Sequence, residues 1–192
     1  MLARRTPGGR VFPVDDGGFV VRTPSASTPA AADVEEQATP AGEAAPDALH
    51  QAAHAAATSE QNDRPEPTEA QKEAGNYKKG HARVAGLDIS IENPAGSRRR
   101  PEWPPLTNHY GYFKGSIGAD KDHVDVFLTE RAGDESLPVF VVDQKHRNGK
   151  FDEHKVVMGA ATEEDARAAY LSNYEKGWTG LQGIKQCTQE EF

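Results

Sequence analysis

The chain has 192 residues, with 22 Lys and Arg against 30 Asp and Glu, a formal net charge of −8, 36% apolar residues and a mean hydropathy of −0.74. That balance excludes the broad basic surface with which a non-specific nucleic-acid binder neutralises phosphates, so long DNA or RNA is not an expected partner, whereas a small anionic substrate is. No run of about 18 apolar residues occurs, and Met1-Leu-Ala-Arg-Arg is followed by Thr-Pro-Gly-Gly instead of an apolar stretch, so the expectation is a cytoplasmic protein without a membrane span or signal peptide.

In chain order, residues 1–22 hold two strand-like pieces, Arg10 to Val14 and Phe19 to Arg22, joined by Asp-Asp-Gly-Gly. They predict a short hairpin, a remnant of or tether to something upstream, with Pro13 confining the first piece to an edge. Residues 23–68 contain fourteen Ala, six Pro and no aromatic residue. Such a segment buries too little apolar surface to offset its chain entropy and reads as a disordered, acidic linker. Within it, the Ala-rich stretch from Ala44 to Ala57 has Leu49 as its only large apolar residue and so no face to pack.

Residues 69–192 form the expected folded unit, with both Trp, all five Tyr and a nearly balanced charge. Leu87, Ile89 and Ile91 alternate with polar residues, and Val124, Val126 and Leu128 repeat the period of a half-buried strand. Val139 to Val142 and Val156 to Met158 are apolar runs separated by Asn148-Gly149, a hairpin signal, which predicts antiparallel neighbours. Thr162-Glu-Glu-Asp is a helix start, and Ala166, Ala169, Tyr170 and Asn173 follow at helical spacing. The fold class is therefore mainly β or α+β, a small antiparallel β-barrel with a C-terminal helix. Cys187 is single and has no ligand partner at zinc spacing, so it reads as a bystander.

Chemistry concentrates in Asn108-His-Tyr-Gly-Tyr and in Asp120-Lys-Asp-His-Val-Asp125. Three carboxylates within six residues repel one another unless a cation compensates, and a hard divalent ion with oxygen ligands is the natural one. A calcium loop is excluded, because Asp125 and Arg131 stand where that loop needs Gly and Glu. Taken alone, Asp-x-Asp-x-x-Asp is equally a solvated turn. His109, His123 and His154 read as structural neighbours of the site, and Trp103 and Trp178 as core or lid residues.

The two motifs in register resemble the family I soluble inorganic pyrophosphatases. In that family Asn-Tyr-Gly-Tyr precedes Asp-x-Asp-Pro-x-Asp-Val by ten residues, as Tyr110 precedes Asp120 here, with His123 replacing Pro, and an Arg stands twelve residues ahead of the first Tyr, as Arg98 does. The stretches Leu-Asp-Ile-Ser-Ile-Glu-Asn-Pro and Phe-Asp-Glu-His-Lys-Val look most like the pyrophosphatase-like domain of polyvalent proteins from phages and conjugative elements, whose other domains would then be partners. The resemblance implies Asp120, Asp125 and Asp152 as ligands of Mg²⁺, or of Mn²⁺ in its place, and Asp122 as both a metal ligand and an aid to water activation. It also implies Tyr110, Arg98 and Lys155 as phosphate-holding groups. Glu92, Asp143 and His154 are second-rank candidates. The family has four residues between its last two Asp, with a Lys two beyond the second. Here Asp143 and Asp152 are separated by eight residues and Lys155 lies three beyond.

Three functions remain open on these residues. The first is Mg²⁺-dependent hydrolysis of pyrophosphate, the second hydrolysis of a nucleotide or a phosphorylated nucleic-acid end, and the third a domain that has lost catalysis and serves as a binding or structural module. Lys155 has the wrong strand parity for the site unless a bulge restores it, whereas His154 has the right one.

Overall fold

The computed structural model describes residues 46–192, so the expected hairpin over 1–22 and the linker as far as residue 45 lie outside the described residues. The alternation in Leu87–Asn93 makes strand β2, which turns back on β1 (Gly80–Val84) through Ala85-Gly86, both in the left-handed region at φ 49° and 72°. That conformation matches the twist of a two-residue hairpin. Strands β3 (His109–Phe113), β4 (Asp125–Leu128), β5 (Val139–Lys145), β6 (Phe151–Met158) and β7 (Leu181–Cys187) complete one sheet in the order β1-β2-β3-β4-β6-β5-β7. The mainly β architecture is as expected, and Asn148-Gly149 does turn β5 into an antiparallel β6. One pairing is of the other kind, since β4 and β6 run parallel, and no ladder joins β7 back to β1 among the described residues.

Alternation along the strands sorts side chains to two faces. Val126, Leu128, Val156 and Met158 pack on one face with Ile89, Ile91 and Phe192, while Phe127, Val157, Phe140 and Tyr110 pack on the other. Helix α3 (Glu163–Leu171) covers the second face with Ala166 and Tyr170. Its start is the capping box read from the sequence, in which Thr162 and Asp165 exchange side-chain to backbone bonds.

The disordered-linker reading does not hold over residues 46–57. Pro46–Ala53 form an α-helix, α1, whose Leu49 and Ala53 are buried in the first core cluster, and Ala56 and Ala57 follow them inward. The missing face is made of small residues: a Cβ on Gly80 would stand 2.1 Å from the Ala52 carbonyl oxygen, so the helix backbone lies directly on β1. Alanine gives close backbone approach instead of bulk, which a scan for large apolar residues does not register. A short helix, α2 (Glu69–Glu73), capped by Thr68, links α1 to the sheet.

Helix α1 also brings His50 and His54 against His109 of β3, with ring centroids 4.3 to 5.8 Å apart. His54 contacts the Ser59 hydroxyl at 2.7 Å, and His109 Nδ1 accepts from the Ala95 N–H at 2.9 Å. Burial, reinforced by His54 and His50, holds His109 down to about 4, and burial followed by His50 lowers His54. Between its ordinary value of 6.5 and about 4, His109 binds a proton in the unfolded chain that the native state refuses, so stability falls as pH drops through that window. We expect His109→Gln to flatten the decline in melting temperature between pH 7 and pH 4.5, removing a pH-dependent part on the order of 2 kcal/mol. Parallel slopes in the two proteins would show that His109 does not carry it.

Candidate active site

Register across three strands builds the site on the second face. Tyr110 pairs with Phe127 and Tyr112 with Asp125, and Asp125 pairs in parallel with Lys155. Gly111 separates the two tyrosines because β2 crosses closely there: a Cβ would meet the Ser90 carbonyl oxygen at 2.1 Å. The loop between β2 and β3 then folds over this face. It is pinched by the Gly96 N–H donating to the Leu106 carbonyl and the Leu106 N–H donating to that of Ser97, at 2.8 and 2.9 Å.

Lys155 is the centre. Its side chain is 2% exposed, and its ammonium donates to Asp125 Oδ2 at 2.6 Å, to Glu153 Oε1 at 2.9 Å and to the Tyr110 hydroxyl at 3.2 Å. All three of its N–H groups are therefore used. Burial opposes its charge, but Tyr110, Asp125, Tyr174 and Glu153 outweigh that and hold Lys155 well above its ordinary value. The Tyr110 hydroxyl donates to Asp125 Oδ2 and accepts from Arg99 Nη2 at 2.9 Å, and burial keeps it a neutral phenol far above its usual value. The Arg99 guanidinium lies 3.8 Å from the centre of the Tyr110 ring, a cation–π contact. Desolvation acts against its charge, while Tyr110, Tyr174 and Asp125 raise it further. Its Nη1 is buried and meets no hydrogen-bond partner.

Carboxylates flank these cations. Glu153 is pushed up by burial against the opposing pull of Lys155, and Gln144 Nε2 donates to it at 2.8 Å and to Asp152 Oδ2 at 3.1 Å. Gln144 is fixed in turn by the Tyr170 and Tyr174 hydroxyls, which donate to its Oε1 at 2.7 and 3.0 Å. Glu92 is likewise raised by burial, and Lys79 stands 3.7 Å from it. Two clefts meet at Arg99. One, of about 590 Å³, is bordered by Arg99, Lys155, Glu153 and Asp152, and the other, of about 490 Å³, by Arg99, Tyr110, Asp122, Asp125 and Glu92.

Tyr110, Asp125 and Lys155 thus come together, with Glu92 and Asp122 on the adjoining cleft. The arginine is Arg99 and not Arg98, which is exposed and donates to the Trp103 carbonyl. In Arg98-Arg99-Arg100 the spacing rule and the loop conformation differ by one residue. The set Asp120, Asp125 and Asp152 does not converge. Asp120 is exposed and accepts from the Asp122 N–H at 3.1 Å, in a loop where Lys121 takes a left-handed φ of 74°, and Asp152 lies 3.2 Å from His146. Among the described residues no group of three His, Cys, Asp or Glu side chains stands close enough to hold a metal ion. Asp143 leaves the site and faces His154 at 2.8 Å, so His154 lacks the parity expected of it, and the register shift that accommodates this is in β5 beside Asp143.

Two site residues, Glu153 and Gln144, escaped the sequence reading. Glu153 had a signal, because Glu153-His-Lys155 keeps the acid two residues before the lysine, and on a strand such a pair shares a face. No helix among the described residues is long and apolar enough to cross a membrane. No curated protein and no solved structure matches the chain. The family model described as Inorganic Pyrophosphatase matches residues 69–192, nearly two thirds of the sequence and all seven strands of the sheet, and the chain belongs to that family.

Proposed function

We propose that the protein hydrolyses a phosphoanhydride, with inorganic pyrophosphate as substrate. The observation that carries this reading is Arg99, a half-buried guanidinium at the junction of two clefts whose Nη1 is shielded from solvent and meets no hydrogen-bond acceptor. Desolvated cations fixed before the reaction are what charge on a leaving phosphate requires. Arg99 would hold phosphate oxygens through Nη1, while Lys155, fully engaged at rest, would exchange one partner for phosphate. Tyr110, held by both cations, keeps Asp125 oriented toward the second cleft.

A divalent cation fits as a partly hydrated guest. Asp122, Asp125 and Glu92 supply only hard oxygen donors along one cleft, and Mg²⁺ commonly takes one or two carboxylates and completes its shell with water and substrate phosphate. When bound, it would supply charge neutralisation and a more acidic water. The stretches that resemble the polyvalent-protein domain carry Glu92, Glu153 and Lys155, and on that resemblance we place the chain in that branch, acting in the cytoplasm of a host cell.

Phosphate release from pyrophosphate, with and without Mg²⁺, tests the reading on the full chain. Arg99→Ala is expected to lower kcat/KM more than about tenfold, roughly 1.4 kcal/mol of transition-state stabilisation, while Arg98→Ala stays within about twofold. Equal losses in the two variants, or no Mg²⁺-dependent release by the unaltered protein, would sink it.

A further inference from the structure

The cleft beside Arg99 that does not contain Asp125 is built for more than phosphate. Beside its charged groups, one part of its wall is aromatic: Trp103 borders it 5.4 Å from Tyr174, and the Trp178 and Tyr174 rings stack on each other at 4.5 Å and 8°. Rings contribute nothing to a pyrophosphate ion, whereas a flat heterocycle stacks on them. The Arg100 guanidinium sits 5.0 Å from the Trp103 ring and adds a second planar surface of the kind on which bases stack. In the same wall Glu175 Oε2 is buried without a hydrogen-bond partner. A carboxylate oxygen only accepts, so it calls for an N–H or O–H donor, the opposite of what a phosphate oxygen offers. Buried orphan groups carry a desolvation penalty and are rare unless something binds them.

We infer that this cleft holds the nucleoside of a nucleoside triphosphate, with the base against the Trp103 wall and a base N–H on Glu175, while the terminal phosphates reach Arg99 and the cleft of Asp125. This deepens the phosphoanhydride reading and rests on it. In the reaction, water oxygen bonds to the terminal phosphorus and the bond from that phosphorus to its bridging oxygen breaks. The bridging oxygen keeps the electron pair and leaves on the nucleoside diphosphate, and the water proton passes to solvent.

Both tryptophans of the chain border this cleft, so their fluorescence reports on it without turnover. The test titrates the full chain, with Mg²⁺, using a methylene-bridged GTP analogue and, separately, inorganic pyrophosphate. The analogue is expected to quench saturably and pyrophosphate to displace it. Glu175→Ala, which removes an unsatisfied buried acceptor and so spares the fold, should weaken the analogue at least tenfold and leave pyrophosphate turnover unchanged; Trp103→Leu should weaken the analogue likewise. If pyrophosphate is hydrolysed but the analogue neither quenches nor competes, the nucleoside site is refuted and the phosphoanhydride reading stands. Analogue binding that Glu175→Ala leaves intact also refutes it. Quenching with no pyrophosphate turnover overturns the phosphoanhydride reading instead.

Discussion

Replacing Lys155 by Met is expected to cost about 3 to 5 kcal/mol of stability, because one partner of a buried charge cluster is removed and the others stay behind. Lys155 is 2% exposed, and without it Asp125 and Glu153, each 20% exposed, face one another with no ammonium between them. Denaturant unfolding of Lys155→Met measures the loss, and a deficit below about 1 kcal/mol would mean that the cluster is solvated after all. The deficit should narrow as pH falls. Glu153 already sits above its ordinary value through burial, so losing Lys155 moves it further up, and its protonation then removes the stranded charge. A second change, Glu153→Gln, should recover part of the stability at neutral pH. Turnover should remain low in the double variant, since the cation is still missing.

The second large effect lies outside the segment that the family model matches. A fragment starting at residue 69 loses Leu49 and Ala53, which are 2% and 0% exposed in the core, and bares the strip of β1 at Gly80 that α1 covers. Leu49→Ala alone should cost about 2 to 5 kcal/mol, the usual range for emptying a buried leucine site. Comparing thermal unfolding of residues 46–192 with that of residues 69–192 checks the whole segment. Coincident melts would show that α1 is dispensable and that its docking contributes nothing to the stability of the sheet.

What the sequence made legible was local and periodic. Ile89 and Ile91, the apolar run of β5, the Asn148-Gly149 turn and the Thr162 cap each announce themselves within a few residues, and each stands where it was expected. Edge strands β1 and β7 were missed because they bury few side chains: His81 and Ala82 lie on exposed or half-exposed ground, as do Gln182 and Lys185. Helix α1 was missed because alanines made its contact. Of the residues the candidate site brings together, the family resemblance had named Tyr110 and Asp125, whereas Arg99 depended on a loop conformation that no spacing encodes. Glu153 and Gln144 depended on how β5 and β6 align, and the register shift at Asp143 sets that alignment.

The single parallel pairing divides the sheet into two antiparallel sets with one seam. Strands β1 to β4 are sequential antiparallel neighbours, β5 pairs with both β6 and β7, and β4 with β6 is the only ladder between the two sets among the described residues. Asp125 and Tyr110 lie on one side of that seam and Lys155 and Glu153 on the other. Local hairpins close faster than pairings across long stretches of chain, so in refolding the halves are expected to form before they join. The clefts then exist only after the last step, and any anion bridging Arg99 and Lys155 would act as a clasp across the join. Amide exchange in residues 125–128 and 155–158 should slow when pyrophosphate is added, while that of β1 stays unchanged; uniform slowing would mean that the sheet opens as one piece.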